Sequence, residues 1–173
     1  MNLIIERLVS ILKYTLCFIQ RKSELLMLNR FKAPTMGIWN GVGGKIEINE
    51  TIEESVQREI VEETGLFIEL DQITHKGLVT WQENDHVLGG MYIFKADVAE
   101  ELHYNTPIKT DEGILDWKLI DWVTDKRNEG VGECIPYFLP ILLNDDKMYH
   151  HAFYYEGSKV IDVVVKEQIS MMK

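Results

Sequence analysis

Three glutamates, Glu59, Glu62 and Glu63, fall in the stretch REIVEETGL (Arg58–Leu66) at spacings that a helix turns to nearly one side. Residues three and four apart are neighbours on a helix, and like charges there cost roughly 0.2–0.5 kcal/mol per pair. The three lie within an arc of about 100°. They border the apolar stripe of Ile52, Val56 and Ile60 rather than opposing it. An isolated cluster of this kind is ordinarily a solvated acidic face. Turned toward a cleft, it needs a cation to neutralise it. Oxygen-only, mostly charged ligands suit Mg²⁺, with Mn²⁺ an equal chemical match, and do not suit zinc. The flanking residues favour the cleft. Arg58 can bond Glu54 or Glu62 at i±4 and orient a carboxylate. Gly43 and Gly44 let the backbone approach a ligand closely, and Lys45 is placed to meet a phosphate.

The elements that would hold these residues can be read outward from the glutamates. A helix is expected from Thr51 to about Thr64, opened by the capping box Thr51-x-x-Glu54 and closed by Gly65. The run FKAPTMGIWNGVGGKIEINE, Phe31–Glu50, holds five turn-formers in a long loop, and loops of this length are often functional. Before it, Lys13–Gln20 and Glu24–Arg30 read as a hairpin turning at Arg21–Ser23. After the helix, β-branched and aromatic residues mark strand-like runs over Leu66–Trp81, His86–Val98 and Ile114–Trp122. ECIPYFLPILLND, Glu133–Asp145, reads as a second helix with Pro136 in its first turn and Pro140 as a candidate kink. Tyr149–Glu167 reads as a closing hairpin turning at Glu156–Ser158. Strands interleaved irregularly with two helices predict an α+β fold, a mixed sheet with helices on its faces.

The chain has 173 residues, 46% of them apolar and 27% charged. That suits one domain over 1–173, with no repeat and no Gly/Ser- or Pro-rich linker. A net charge of −10 argues against affinity for nucleic-acid duplexes or anionic membranes. An anionic substrate would have to be held by local cations. MNLIIERLVSILKY is interrupted by Glu6 and Arg7, so it reads as a short amphipathic element rather than a signal or membrane span. Cys17 and Cys134 form no metal or redox spacing and read as buried structural thiols of a reducing cytoplasm. His75, His86, His103, His150 and His151 are too scattered for a metal set. Trp39, Trp81, Trp117 and Trp122 read as core or rim, and Phe31 or Phe138 is a candidate stacking partner for a base.

The segment GKIEINETIEESVQREIVEETGL, Gly44–Leu66, resembles the Nudix box at every defining position: Gly44, Glu50, Arg58, Glu59, Ile60, Glu62, Glu63, Gly65 and Leu66. Seven fixed identities at fixed spacing arise by chance roughly once in 10⁸ placements. The resemblance implies a Nudix fold, an α/β/α sandwich around a mixed curved sheet. It also implies an Mg²⁺-dependent hydrolase of a nucleoside diphosphate linked to another group. Glu62 and Glu63 would be the main metal ligands with the Gly43 carbonyl, and Glu59 a further ligand or the water-activating base. Glu50 and Arg58 would shape the loop and hold the helix.

The likeness runs from Lys13 nearly to the end of the chain, with residues 1–12 outside it. YTLCFI, LLMLNR, WNGVGGK, DEGILDW and FLPILLNDDKMYHHAFYYEG are similar to the MutT-type branch. That branch cuts oxidised purine nucleoside triphosphates such as 8-oxo-dGTP to monophosphate and pyrophosphate, sanitising the nucleotide pool and so sparing DNA repair. By this likeness Asn40 reads the purine edge, Thr15 floors the pocket, and Glu112 is an acidic residue near the metal or water, unless it is a plain loop charge. Two neighbouring aspartates that bond the oxidised base in a mammalian member are missing here. The aligned stretch is GECIPYF, with Glu133 the nearest substitute and Glu129 a second. The proline of ADP-ribose hydrolases, the tyrosine of dinucleoside polyphosphate hydrolases and the coenzyme A motif are absent at their usual places. ADP-ribose, dinucleoside polyphosphate or capped-RNA hydrolysis and non-catalytic nucleotide sensing remain the alternatives. The expected partner is a small nucleotide, and the expected state a monomer or homodimer.

Overall fold

The computed structural model describes residues 11–84 and 86–168. β1 (Leu12–Arg21) and β2 (Glu24–Arg30) form the expected antiparallel hairpin, with Ile19 opposite Leu26 and Arg21 opposite Glu24. β3 (Trp39–Asn40) pairs with β2 inside the long loop. The remaining strands are β4 (Ile73–Glu83), β5 (His86–Asp97), β6 (Ile108–Lys109), β7 (Gly113–Leu119), β8 (Tyr149–Glu156) and β9 (Lys159–Glu167). They form one mixed sheet in the order β6-β7-β2-β1-β5-β4-β8-β9, with β3 attached to β2. The pairs β1–β5 and β4–β8 are parallel, and the others antiparallel.

Successive side chains of a strand point to opposite faces, and the core divides accordingly. Cys17, Ile19, Leu26, Leu28, Phe94 and Ala96 pack on one face against Val56 and Ile60 of α1 (Ile52–Thr64). Phe18, Leu25, Met27 and Ile93 pack on the other. There they meet Val123 of α2 (Ile120–Thr124) and Phe138, Leu139 and Leu142 of α3 (Ile135–Asn144). The sheet thus lies between helices, as the sandwich expectation requires. α1 keeps both local signals. Thr51 Oγ1 accepts the Glu54 N–H at 3.1 Å, while the Glu54 carboxylate accepts the Thr51 N–H at 2.7 Å. Gly65, at φ 72°, occupies the left-handed cap that other residues enter only with strain.

Two expectations need correction. The strand read from Leu66 begins only at Ile73, after an irregular stretch and a 3-10 turn at Leu70–Gln72. Thr64 Oγ1 accepts the Leu66 N–H, and the Gln57 amide donates to the Ile68 carbonyl, so side chains satisfy backbone groups that a neighbouring strand would otherwise take. The run Ile114–Trp122 is strand only to Leu119, which pairs with Glu24, the first residue of β2; Ile120 N–H still reaches the Ser23 carbonyl in the β1–β2 turn at 2.9 Å, and the chain then enters α2. Met1–Ser10 lie outside the described residues, and with them most of the amphipathic N-terminal element. β1 already starts at Leu12. α3 runs as expected and contains Pro140 without ending there. Among the described residues, no helix is long and apolar enough to cross a membrane.

Candidate active site

The glycine-rich segment is laid along β1. Thr15 N–H donates to the Gly44 carbonyl at 2.9 Å, Cys17 N–H to Val42 at 2.7 Å and Ile46 N–H to Lys13 at 2.9 Å, while Val42 N–H returns a bond to Cys17 at 3.0 Å. A side chain at Gly43 would collide with the Thr15 carbonyl, and one at Gly44 with the Glu59 carboxylate. Glycine is therefore what lets the loop fit between strand and helix.

Arg58 ties this loop to α1. Its guanidinium donates to both Glu50 oxygens, Nε at 3.1 Å and Nη2 at 2.7 Å, and to Glu59 at 2.8 Å, Glu62 at 3.1 Å and the Lys45 carbonyl at 3.1 Å. Of the two i±4 partners open to it, it takes Glu62, since Glu54 is engaged in the cap. The paired donors of Arg58 hold the Glu50 carboxyl down to about 2.

The helix glutamates are graded in exposure. The Glu62 side chain is 58% exposed, Glu59 13% and Glu63 6%. Glu63 Oε2 accepts the Gly43 N–H at 2.8 Å. Burial pushes its carboxyl up to about 7, beyond what the Gly43 bond and Arg30 offset, and burial raises Glu59 as well against the pull of Arg58. Arg30 stands 3.7 Å from Glu63 Oε1 and 3.8 Å from Glu112, and Lys32 bonds Glu112 at 2.7 Å. Among the described residues, no three acidic, histidine or cysteine side chains converge into a preformed metal cage. Glu59 and Glu62 turn to Arg58, and Glu63 to Gly43. The donor set nonetheless fits a hard divalent cation. It comprises three carboxylates, two of them with burial opposing their charge, and the Gly43 carbonyl, to which no described residue donates a hydrogen bond.

Beside this edge opens a cleft. One cavity, of about 540 Å³, is lined by Thr15, Arg30, Asn40, Gly43, Gly44 and Lys45 among others. A second, of about 270 Å³, is lined by Val79, Gly132, Glu133, Cys134, Phe138 and Tyr155. The two share Leu16, Thr35, Asn40, Trp81 and Met91. Thr15 Oγ1 and Asn40 Nδ2 are buried without a hydrogen-bond partner. Such groups are rare in folded proteins, and these two both line the outer cavity. Cys134 is half-buried and bonds the Tyr155 hydroxyl at 3.1 Å, so it belongs to the inner cavity wall, whereas Cys17 is a buried core thiol.

The structure thus brings Glu50, Arg58, Glu59, Glu62, Glu63, Gly43 and Gly44 together, with Thr15, Asn40 and Lys45 in the adjoining cavity. Glu133 lies in the inner one, and Glu112 is reached through Arg30. Glu129 and the exposed Phe31 line neither cavity, while Phe138 does line the inner one. No histidine lines either cavity; His150 bonds Thr80 and His75 stacks on Phe94. Trp81, read from the sequence as core or rim, lines both cavities. Arg30, which the sequence reading does not single out, ends β2 one residue before the loop; a cation at a strand end feeding a glycine loop was the available signal.

Comparison with known proteins agrees with this geometry. The family model described as NUDIX domain matches residues 13–128. The oxidized purine nucleoside triphosphate hydrolase of Mus musculus is 26% identical over 162 residues, covering 89% of this chain and 94% of the mouse protein. The uncharacterized Nudix hydrolase YvcI of Bacillus subtilis is 28% identical over 145 residues, covering 83% and 86%. In solved structures, the MutT protein of Bacillus halodurans superposes with a TM-score of 0.65 at 23% identity, covering 88% of this chain and 95% of that one, a likeness of fold.

Proposed function

This chain belongs to the Nudix family of hydrolases, and from that premise we propose that it hydrolyses oxidised purine nucleoside triphosphates to monophosphate and pyrophosphate in a Mg²⁺-dependent reaction. One observation carries the substrate reading. The cleft has an inner end walled by Val79, Trp81, Met91 and Phe138 beneath the unpartnered Asn40 amide, and an outer end bearing Lys45, Arg30 and the Gly43–Gly44 backbone. A largely apolar slot with a few polar groups, Asn40 and Glu133 among them, suits a base, and a cationic mouth suits a phosphate chain. The name of the mouse relative supports the same substrate class.

The cation would be held by Glu59, Glu62, Glu63 and the Gly43 carbonyl. When bound it neutralises the polyphosphate and acidifies water. The chain's own residues do the rest. Asn40 Nδ2 donates to an acceptor on the base edge, and its carbonyl oxygen can accept in return. Thr15 Oγ1 takes a second polar atom at the pocket floor, and Glu133 faces donors from the inner wall. Lys45 pairs with phosphate oxygens. Glu59, where it does not ligate the cation, accepts a proton from the attacking water, and burial raises its carboxyl in that direction. Water adds to phosphorus as the bond to the leaving pyrophosphate breaks. Arg58 and Glu50 hold Glu59 in place, and Glu112 anchors the cations of the neighbouring loop.

Incubation with Mg²⁺ and a panel of ordinary and oxidised nucleotides, ADP-ribose and capped RNA, with product identification, tests the proposal. The expected outcome is monophosphate and pyrophosphate, formed fastest from an oxidised purine triphosphate. Faster cleavage of ADP-ribose or capped RNA would replace the substrate reading. Tight binding without turnover of anything would replace it with a sensor.

A further inference from the structure

Arg30 is held differently from the other arginine of the site. Arg58 makes five hydrogen bonds of 3.1 Å or less. The approaches of Arg30 to Glu63 and Glu112, 3.7 and 3.8 Å, are too long for hydrogen bonds. Its backbone is nonetheless fixed, since Gly37 N–H donates to the Arg30 carbonyl at 2.7 Å and the following Phe31 N–H to Glu112 at 2.9 Å. The side chain is 25% exposed, on the wall of the outer cavity beside Lys45. Each of its carboxylates has a closer partner already. The Gly43 N–H meets Glu63 at 2.8 Å, and Lys32 meets Glu112 at 2.7 Å. Among the described residues Arg30 therefore supplies charge without directed bonds, and its five donors are left for a ligand. A guanidinium fork matches phosphate oxygens in pairs. With a net charge of −10, the chain also needs such a local cation to draw in an anion.

We infer that Arg30 is an exchangeable counter-ion: it neutralises Glu63 and Glu112 in the empty site, gives them up when a divalent cation arrives, and then grips the phosphate chain of the nucleotide. The inference rests on the nucleotide reading above and adds a residue and an order of events to it. Metal and phosphate binding are then linked through one side chain, and linkage is reciprocal.

The test uses the full chain, with calorimetric titration of Mg²⁺ alone at pH 8 and of pyrophosphate at saturating Mg²⁺, on wild type, Arg30→Gln and Arg30→Lys. Thermal unfolding checks that each variant is folded. Arg30→Gln is expected to bind Mg²⁺ ~5-fold tighter, because a competing cation is gone, and pyrophosphate ~10-fold weaker, because charged hydrogen bonds are lost. Arg30→Lys should restore the Mg²⁺ affinity and only part of the pyrophosphate affinity. Unchanged or weaker Mg²⁺ binding in Arg30→Gln, or unchanged pyrophosphate binding, overturns the exchange. A wild type that turns over no triphosphate yet shows both shifts overturns the substrate reading alone. Normal turnover of triphosphates without either shift removes Arg30 alone.

Discussion

Glu50 and Glu63 bracket the same helix and meet opposite fates. Glu50 is embraced by Arg58 and accepts the Glu47 N–H at 2.6 Å, so its charge is favoured and its carboxyl lies near 2. Glu63 is buried deeper with one backbone bond and one distant guanidinium, so its charge is opposed and its carboxyl lies near 7. The difference separates two kinds of acid by physics alone. An acid whose partners are all protein groups holds the framework. An acid left short of partners in a buried place is stable only with something the chain does not itself supply. The same contrast repeats between the saturated guanidinium of Arg58 and the loosely held one of Arg30.

Substitutions that exchange these fates should give the largest effects. Glu63→Gln keeps the shape and removes the opposed charge. Steady-state kinetics should show kcat/KM down by ~100-fold or more, while urea unfolding of the metal-free protein at pH 8 should show stability unchanged or improved. A variant that keeps its rate would end the assignment of Glu63 to the metal. Arg58→Ala should act the other way. It strands Glu50 and loosens Glu59, with an expected loss of about 3 kcal/mol in urea unfolding. Arg58→Lys should recover only part of it, because an ammonium cannot bridge both Glu50 oxygens.

The pH dependence separates the pair next. Glu63 has a higher pKa folded, about 7, than its ordinary 4.5, so the folded chain holds more protons between those values. Its contribution to stability is full below pH 4.5 and is lost as pH rises through 7, a decline on the order of 2 kcal/mol in metal-free protein. Glu50 works in the opposite sense, contributing above 4.5 and losing its contribution as pH falls through 2. His75, His150 and His151, all lowered by burial, add a slope of their own below their ordinary 6.5, for His151 down to about 4, with stability rising as pH rises. The Glu63 share is therefore read as the difference between wild type and Glu63→Gln in urea midpoints at pH 5 and pH 8. Saturating Mg²⁺ should reverse the decline. The smallest expected change is Asn40→Ala: about a tenfold loss of discrimination between oxidised and ordinary purine triphosphates, with Mg²⁺ affinity unmoved. An unchanged ranking of substrates would take Asn40 out of the reading role.

What the sequence made legible follows the range of the forces involved. Thr51, Glu54, Gly65 and the Ile52–Val56–Ile60 stripe act within a few residues, so α1 and its glutamates could be placed from spacing. The hairpin of β1 and β2 and that of β8 and β9 were equally local. The parallel pairings of β1 with β5 and β4 with β8 join distant segments, and no local pattern encodes them. For the same reason the strand limits at Ile73 and Leu119 were missed, since they depend on Gln57 reaching Ile68 and on where β2 begins. Arg30 and Trp81 looked ordinary in sequence because their meaning comes from neighbours across the sheet. Glu133 stood ahead of Glu129 from the sequence, and the fold sets Glu133 at the inner cavity and Glu129 away from it.

The two ends of the cleft also come from different stretches of chain. The outer end is built by Tyr14–Lys45 against α1, while much of the inner wall comes from Gly132–Phe138 and Tyr155, with Asn40 and Trp81 at the junction. Changes in the late segment can reshape the inner cavity without touching the glutamates of α1 or the glycine-rich loop. Such a division makes the scaffold evolvable. Recognition can drift by point substitutions at the end of the chain while the chemistry near its start is inherited intact.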